Sequence, residues 1–157
     1  MNVEENIMFP LTMFTNQSYE EKIERVNNCL KRVNLQNNNK LKISELSGGM
    51  TKRVSIARAI VMKPKYLLCD EPNSGLDPRT AIIIDNLIKE ISVEDDITTI
   101  VNTHDMNSVM EIGDSIAYIN SGRIIWTGNK EELLQSNNEQ LNNFVFASEL
   151  FKRLKNT

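Results

Sequence analysis

A chain of 157 residues, 40% hydrophobic and 25% charged, has the length of about one domain and the balance of a globular protein rather than a disordered one. Its net charge of −3 lacks the basic excess that marks a nucleic-acid binder, and no apolar run approaches the ~18 residues of a membrane span. Glu4 and Glu5 stand where a secretion signal needs positive charge, and Cys29 and Cys69 form no CxxC pattern, so a reducing cytoplasm is the expected compartment.

In chain order, Ser18 and Glu21 have the spacing of a capping box. Ile23, Val26, Leu30 and Val33 follow at helical spacing, which predicts a helix over about 19–34. Asn37, Asn38 and Asn39 read as a loop. Ser47 suits a helix N-cap ahead of Val54, Ala57, Ile60 and Val61, predicting a helix over about 48–62 that stops before Pro64. The apolar run Tyr66-Leu67-Leu68-Cys69 then ends in Asp70 and Glu71, the pattern of a strand buried on both faces. Asp77-Pro78 opens a further helix whose apolar face is Ile84, Leu87, Ile88 and Ile91. Residues 98–101 predict a second buried strand, with His104 just past its end, and a short helix covers 106–112. Residues 115–119 and 123–127 predict paired strands around Ser121-Gly122. Asn129 with Glu132 marks another helix start. Leu141, Phe144, Val145, Phe151 and Leu154 form a helical stripe in the tail. The order predicts an α/β fold: a helical subdomain (1–63), half of a mainly parallel sheet with flanking helices (64–128) and a helical tail (129–157).

Three places carry chemistry. Ser47-Gly48-Gly49 at a helix start exposes backbone N–H groups and a positive dipole end, which suits a phosphate; read alone, the tripeptide is also an ordinary turn. Asp70 and Glu71 are two carboxylates after a buried strand. One can hold magnesium through water and the other can activate an attacking water, unless both simply mark a solvated strand end. His104, the single histidine, lies beyond a strand's C-terminal end, the edge where open α/β sheets bind ligands; alone it is also an ordinary satisfied histidine.

The ordered set of Leu46-Ser47-Gly48-Gly49-Met50, Tyr66-Leu67-Leu68-Cys69-Asp70-Glu71-Pro72, Ser74-Gly75-Leu76-Asp77 and His104 resembles the ABC transporter ATPase family. These match its signature, Walker B, D-loop and H-loop. The resemblance implies a P-loop NTPase-like fold and ATP with Mg2+ as the ligands. It implies that Ser47, Gly48 and Gly49 contact the γ-phosphate held by an opposite subunit. Asp70 would hold magnesium, Glu71 would polarise water, Asp77 would connect two sites across a head-to-tail homodimer, and His104 would steady the transition state.

Residues 6–11 (Asn-Ile-Met-Phe-Pro-Leu), 46–54 and 56–60 look most similar to the ATPase subunit of Mla/Mce-type phospholipid transporters. Many other ABC ATPases have Gln where this chain has Met50. That resemblance implies membrane permease subunits and an Mce-domain lipid-binding protein as partners, no nucleic acid, and a place on the cytoplasmic face of the inner membrane. Asn73 stands where many relatives have Thr. No Gly-x-x-x-x-Gly-Lys-Ser/Thr loop occurs in the chain. Met1 is therefore expected to match an internal methionine of the longer relatives, leaving a C-terminal portion without Walker A and inactive alone. The competing readings are an ABC-F or SMC-like ATPase, and a non-catalytic fragment that only dimerises or docks on a permease. The tail beyond Phe144 is expected to dock on a partner or to pack on its own domain, and Lys152, Arg153 and Lys155 to face a membrane or solvent.

Overall fold

A side-chain cap begins every described α-helix, and in three of them it is reciprocal. In the computed structural model, which describes residues 1–147, Asn2 and Glu5 close a capping box at the start of α1 (Val3–Phe14). Ser18 and Glu21 do the same for α2 (Tyr19–Arg32), and Asn129 and Glu132 for α6 (Lys130–Gln135). Each box satisfies backbone donors that a helix start leaves unpaired. The chain separates into two compact units, Met1–Thr103 and a second beginning at His104. The boundaries expected at 63/64 and 128/129 fall inside these units. The expected tail positions Phe151, Lys152, Arg153, Leu154 and Lys155 lie outside the described residues.

The first unit opens with α1, which sequence reasoning did not anticipate although Asn2 and Glu5 carry its signal. Val3, Ile7 and Leu11 are buried along one face, and Pro10 is accommodated inside the helix. This face packs on α2 and on α3 (Gly48–Ile60), where Val26, Leu30, Val54, Ala57 and Ile60 complete a dry core. Arg25 of α2 donates from Nε to the Val61 carbonyl (2.9 Å) and from Nη2 to that of Ile60 (3.0 Å), satisfying carbonyls at the end of α3.

Two parallel strands follow: β1 (Tyr66–Asp70) and β2 (Thr98–Asn102), in register from Tyr66 opposite Thr98 to Asp70 opposite Asn102. The connecting helix α4 (Pro78–Glu94) buries Ile84, Leu87, Ile88 and Ile91. Ser92 of α4 hydrogen-bonds Thr99 at 2.6 Å, which places α4 on the sheet face shared by Leu67 and Thr99. The expectation of strands buried on both faces is corrected here. Leu67 is 4% exposed, but Leu68 and Ile100, register partners on the opposite face, are 74% and 60% exposed. Within Met1–Thr103 the described elements cover one face of this sheet.

The second unit holds α5 (Met106–Ile112), an antiparallel hairpin of β3 (Ile116–Asn120) and β4 (Arg123–Gly128), α6, and α7 (Glu139–Val145). Ser121 and Gly122 both take positive φ (50° and 73°), the pair of left-handed conformations that matches a tight hairpin to strand twist. Leu133, Leu141, Val145 and Phe146 form its core against Met110, Ile116 and Trp126.

One carboxylate is folded into the first unit. Glu4 accepts from Lys40 Nζ (3.0 Å), Asn39 Nδ2 (3.2 Å) and the Tyr19 hydroxyl (3.3 Å). Burial alone would push its carboxyl up, but the Lys40, Asn39 and Tyr19 bonds outweigh it and hold the group below the usual glutamate range. Between the folded and unfolded values the unfolded chain binds more protons. The contribution is therefore complete above the ordinary glutamate value and lost as pH falls through the folded one. Urea unfolding from about pH 6 to about pH 3 should show Glu4→Gln losing less stability than the unsubstituted protein. Parallel losses in the two proteins would contradict the assignment.

Candidate functional site

Ser47 caps α3 by accepting from the Met50 amide at 3.3 Å, with extended backbone (φ −68°, ψ 162°). Gly48 and Gly49 are the first residues of the helix, so their amides lie among the unpaired donors of its N-terminus. Their lack of side chains has a tertiary cause. A Cβ on Gly48 would stand 3.4 Å from Leu76 Cδ2, and one on Gly49 only 2.8 Å from Thr80 Cγ2. The signature segment is thus pressed against the turn and first helical residues that follow the two acids.

That turn is built around Asp77. As N-cap of α4, its Oδ1 accepts from the Arg79 and Thr80 amides (both 3.1 Å) and its Oδ2 from the Thr80 hydroxyl (2.5 Å). The Thr80 hydroxyl and amide, with the Arg79 amide, hold the Asp77 carboxyl below its usual range. Both oxygens are engaged locally, so Asp77 contributes the shape of the turn.

Asp70 ends β1 and is exposed. Its Oδ1 accepts from Asn102 Nδ2 at 2.7 Å, a cross-strand bond made possible by the direct Asp70–Asn102 register. Glu71 is not a further strand residue, so strand alternation does not set its direction relative to Asp70. Its φ is +46°, in the left-handed region, while its amide still donates to the Asn102 carbonyl at 2.9 Å. The chain leaves the sheet at Glu71 through a sharp bend, and this bend separates the acids. The Glu71 carbonyl accepts from the Ser74 amide (3.2 Å) and from Lys52 Nζ (3.0 Å).

Asn73, passed over in the sequence as a residue between motifs, is buried. Its Nδ2 donates to both oxygens of Asp85 at 3.3 and 3.2 Å, and Asp85 is 3% exposed within α4. This pair pins the loop after Glu71 to the helix that underlies it. The available signal was an Asp inside the apolar stripe of Ile84, Leu87 and Ile88.

Ser47, Gly48, Gly49, Asp70, Glu71 and Asp77 therefore all belong to the first unit, and the contacts above join the segments that carry them through neighbours such as Lys52, Leu76 and Thr80. His104 opens the second unit, exposed and ahead of α5, whose N-cap Asp105 accepts from the Asn107 amide at 2.9 Å. Among the described residues no cluster of three or more His, Cys, Asp or Glu is arranged around a common metal position. One exposed carboxylate at a strand end suits magnesium, which keeps several waters and takes only one or two protein carboxylates.

A glycine-opened helix set beside a two-acid strand end, at the C-terminal edge of parallel strands, is an α/β arrangement that suits a phosphorylated ligand. Residues 1–74 match the family model described as ABC transporter. The chain is 39% identical to a methionine import ATP-binding protein of Clostridium tetani, covering 95% of this chain and 46% of that one. It is 39% identical to a phosphonates import ATP-binding protein of Haloarcula marismortui (77% and 45%). It is 40% identical to a spermidine/putrescine import ATP-binding protein of Fusobacterium nucleatum (87% and 36%). The dimeric structure of MJ0796, a bacterial ABC transporter cassette, superimposes with a TM-score of 0.72 at 34% identity, covering 82% of this chain and 56% of that one. A post-hydrolysis dimer of the same cassette with ADP and Pi gives 0.71. The chain belongs to the ABC transporter ATP-binding family, with the cassette fold of the P-loop NTPase class. It spans less than half the length of these curated relatives.

The Gly49–Thr80 approach leads to a measurable outcome. Thr80 cannot rotate its methyl aside without giving up its bond to Asp77. Gly49→Ala should therefore destabilise the first unit by about 1–3 kcal/mol, the usual scale for overpacking. Thr80→Ser, which deletes the methyl and keeps the hydroxyl, should restore most of that loss in the double variant. Urea titration checks both, and an equal cost of Gly49→Ala in the two backgrounds would contradict the contact.

Proposed function

We propose that this chain carries the signature and catalytic-acid portion of an ATP-hydrolysing subunit that drives an ABC transporter. The observation that supports it best is the packing of the 47–49 helix start on the loop that follows Asp70 and Glu71. A γ-phosphate-binding element and a water-activating carboxylate are thereby tied into one unit.

In this reading the 47–49 amides and the α3 dipole receive phosphate oxygens. Asp70, oriented by Asn102, holds a hydrated magnesium ion, which supplies charge neutralisation on the β- and γ-phosphates when bound. Glu71 accepts the proton of the attacking water, and the bend at φ +46° sets where its side chain begins. His104 donates to the γ-phosphate. Asp77 maintains the turn that faces a second, head-to-tail subunit.

The partners proposed are that second ATPase subunit and membrane permease subunits. No described helix is long and apolar enough to cross a membrane, so attachment would be through the permease at the cytoplasmic face. The relatives named above are importers of methionine, phosphonates and spermidine/putrescine. We therefore favour import of a small polar solute. The phospholipid expectation rests only on short stretches such as 6–11 and 46–54, and those relatives lend no support to it or to an Mce-domain partner.

Magnesium-dependent ATP turnover, measured in a complete cassette that supplies a Gly-x-x-x-x-Gly-Lys-Ser/Thr loop alongside this chain's residues, tests the reading. Glu71→Gln should lower kcat by about 10²–10⁴, the scale for removing a general base, while nucleotide affinity is retained. Turnover at the unsubstituted rate in that variant would overturn it. Uptake of labelled methionine, phosphonate and spermidine, compared with phospholipid transfer between vesicles, separates the substrate classes.

A further inference from the structure

We propose that Lys52 is a positioning residue for Glu71, fixing the bend from which the water-activating carboxylate projects. This rests on the ATPase reading of Glu71 given above. Lys52 lies in the second turn of α3, five residues from the capping Ser47, and is half-buried. Its ammonium reaches across to the Glu71 carbonyl at 3.0 Å. A charged donor to a carbonyl makes a stronger bond than a neutral one.

The bond meets the backbone where it most needs support. Glu71 occupies the left-handed region, which a glutamate adopts only when its surroundings impose it. Three hydrogen bonds hold that residue's peptide groups: its amide to Asn102, and its carbonyl to Ser74 and Lys52. The Asn102 bond comes from the sheet and the Ser74 bond from the loop itself. Lys52 alone among these brings in α3, the helix whose first residues are Gly48 and Gly49. A ligand drawing on the 47–49 loop thus acts on a rigid helix that also grips the Glu71 carbonyl. Lys52 couples phosphate engagement to the placement of the catalytic carboxylate. It touches neither nucleotide nor water in this scheme, so its effect is on geometry.

Three variants decide the matter in this protein: Lys52→Met, which keeps the length and packing but removes the donor, Lys52→Arg, which retains donors, and Glu71→Gln as reference. Amide hydrogen exchange reads the bend directly, because the Glu71 and Ser74 amides are both hydrogen-bonded. Lys52→Met should speed exchange at these two amides on the order of tenfold, with amides in α2 unchanged; Lys52→Arg should stay near the unsubstituted rates. In steady-state ATP hydrolysis by the complete cassette, Lys52→Met should lower kcat by roughly ten- to a hundredfold with KM little changed, and Lys52→Arg should recover most of it. Unchanged exchange at Glu71 and Ser74 in Lys52→Met overturns the proposal, as does faster exchange with undiminished kcat. If the complete cassette shows no turnover without any substitution, the ATPase reading fails and with it the catalytic part of this inference. The exchange rates then still decide whether Lys52 holds the bend.

Discussion

The approach of Gly49 to Thr80 sets the geometry of everything around the acids. At a distance where a Cβ would stand 2.8 Å from the threonine methyl, only a hydrogen fits, and α3 can lie against the start of α4. The methyl is itself held, because the Thr80 hydroxyl is bound to Asp77. The 47–49 segment therefore meets a surface fixed by the α4 cap. Without that close contact Lys52 would not come within reach of the Glu71 carbonyl, and the helix start would be independent of the strand end.

Helix α4 is the platform beneath the site. Its N-cap Asp77 shapes the turn, its buried Asp85 grips Asn73, and its far end bonds Thr99 through Ser92. A carboxylate at 3% exposure is tolerated only when hydrogen bonds replace the water it lost, and the Asn73 amide supplies part of that replacement. The cross-strand Asp70–Asn102 bond plays the corresponding part on the sheet. The loop from Glu71 to Asp77 is thus anchored to the sheet at one end, to α4 in the middle through Asn73, and to the α4 cap at the other end. Such anchoring preorganises charged groups, which is what phosphoryl-transfer chemistry asks of a protein.

The elements that rest on local signals were legible in the sequence. Ser18 with Glu21, Asp77-Pro78, Asn129 with Glu132, and the Ser121-Gly122 turn each announce a boundary through hydrogen bonds or φ preferences of a few adjacent residues. The features that depend on partners distant in sequence were not. Leu68 and Ile100 have the apolar character of a doubly covered sheet, while the elements of Met1–Thr103 cover only the Leu67 face, because periodicity reports what a strand can bury rather than what lies over it. The left-handed bend at Glu71 has no glycine or asparagine to advertise it. Asn73 and Asp85, twelve residues apart, gain meaning only when α4 folds back under the loop. Nothing near Lys52 in the sequence names its partner, and only the tertiary contact with the Glu71 carbonyl reveals it. Helix α1 carries opposed local signals, the Asn2–Glu5 cap in favour and Pro10 in its interior against.

The central claim is that the signature helix rests directly on the start of α4. The most direct measurement is a nuclear Overhauser cross-peak between the Gly49 α-protons and the Thr80 γ-methyl in the labelled protein. The account predicts a strong cross-peak, since the would-be Cβ position and the methyl carbon are 2.8 Å apart. Its absence, with both resonances assigned and the cross-strand contacts of Asp70 and Asn102 intact, would contradict the account.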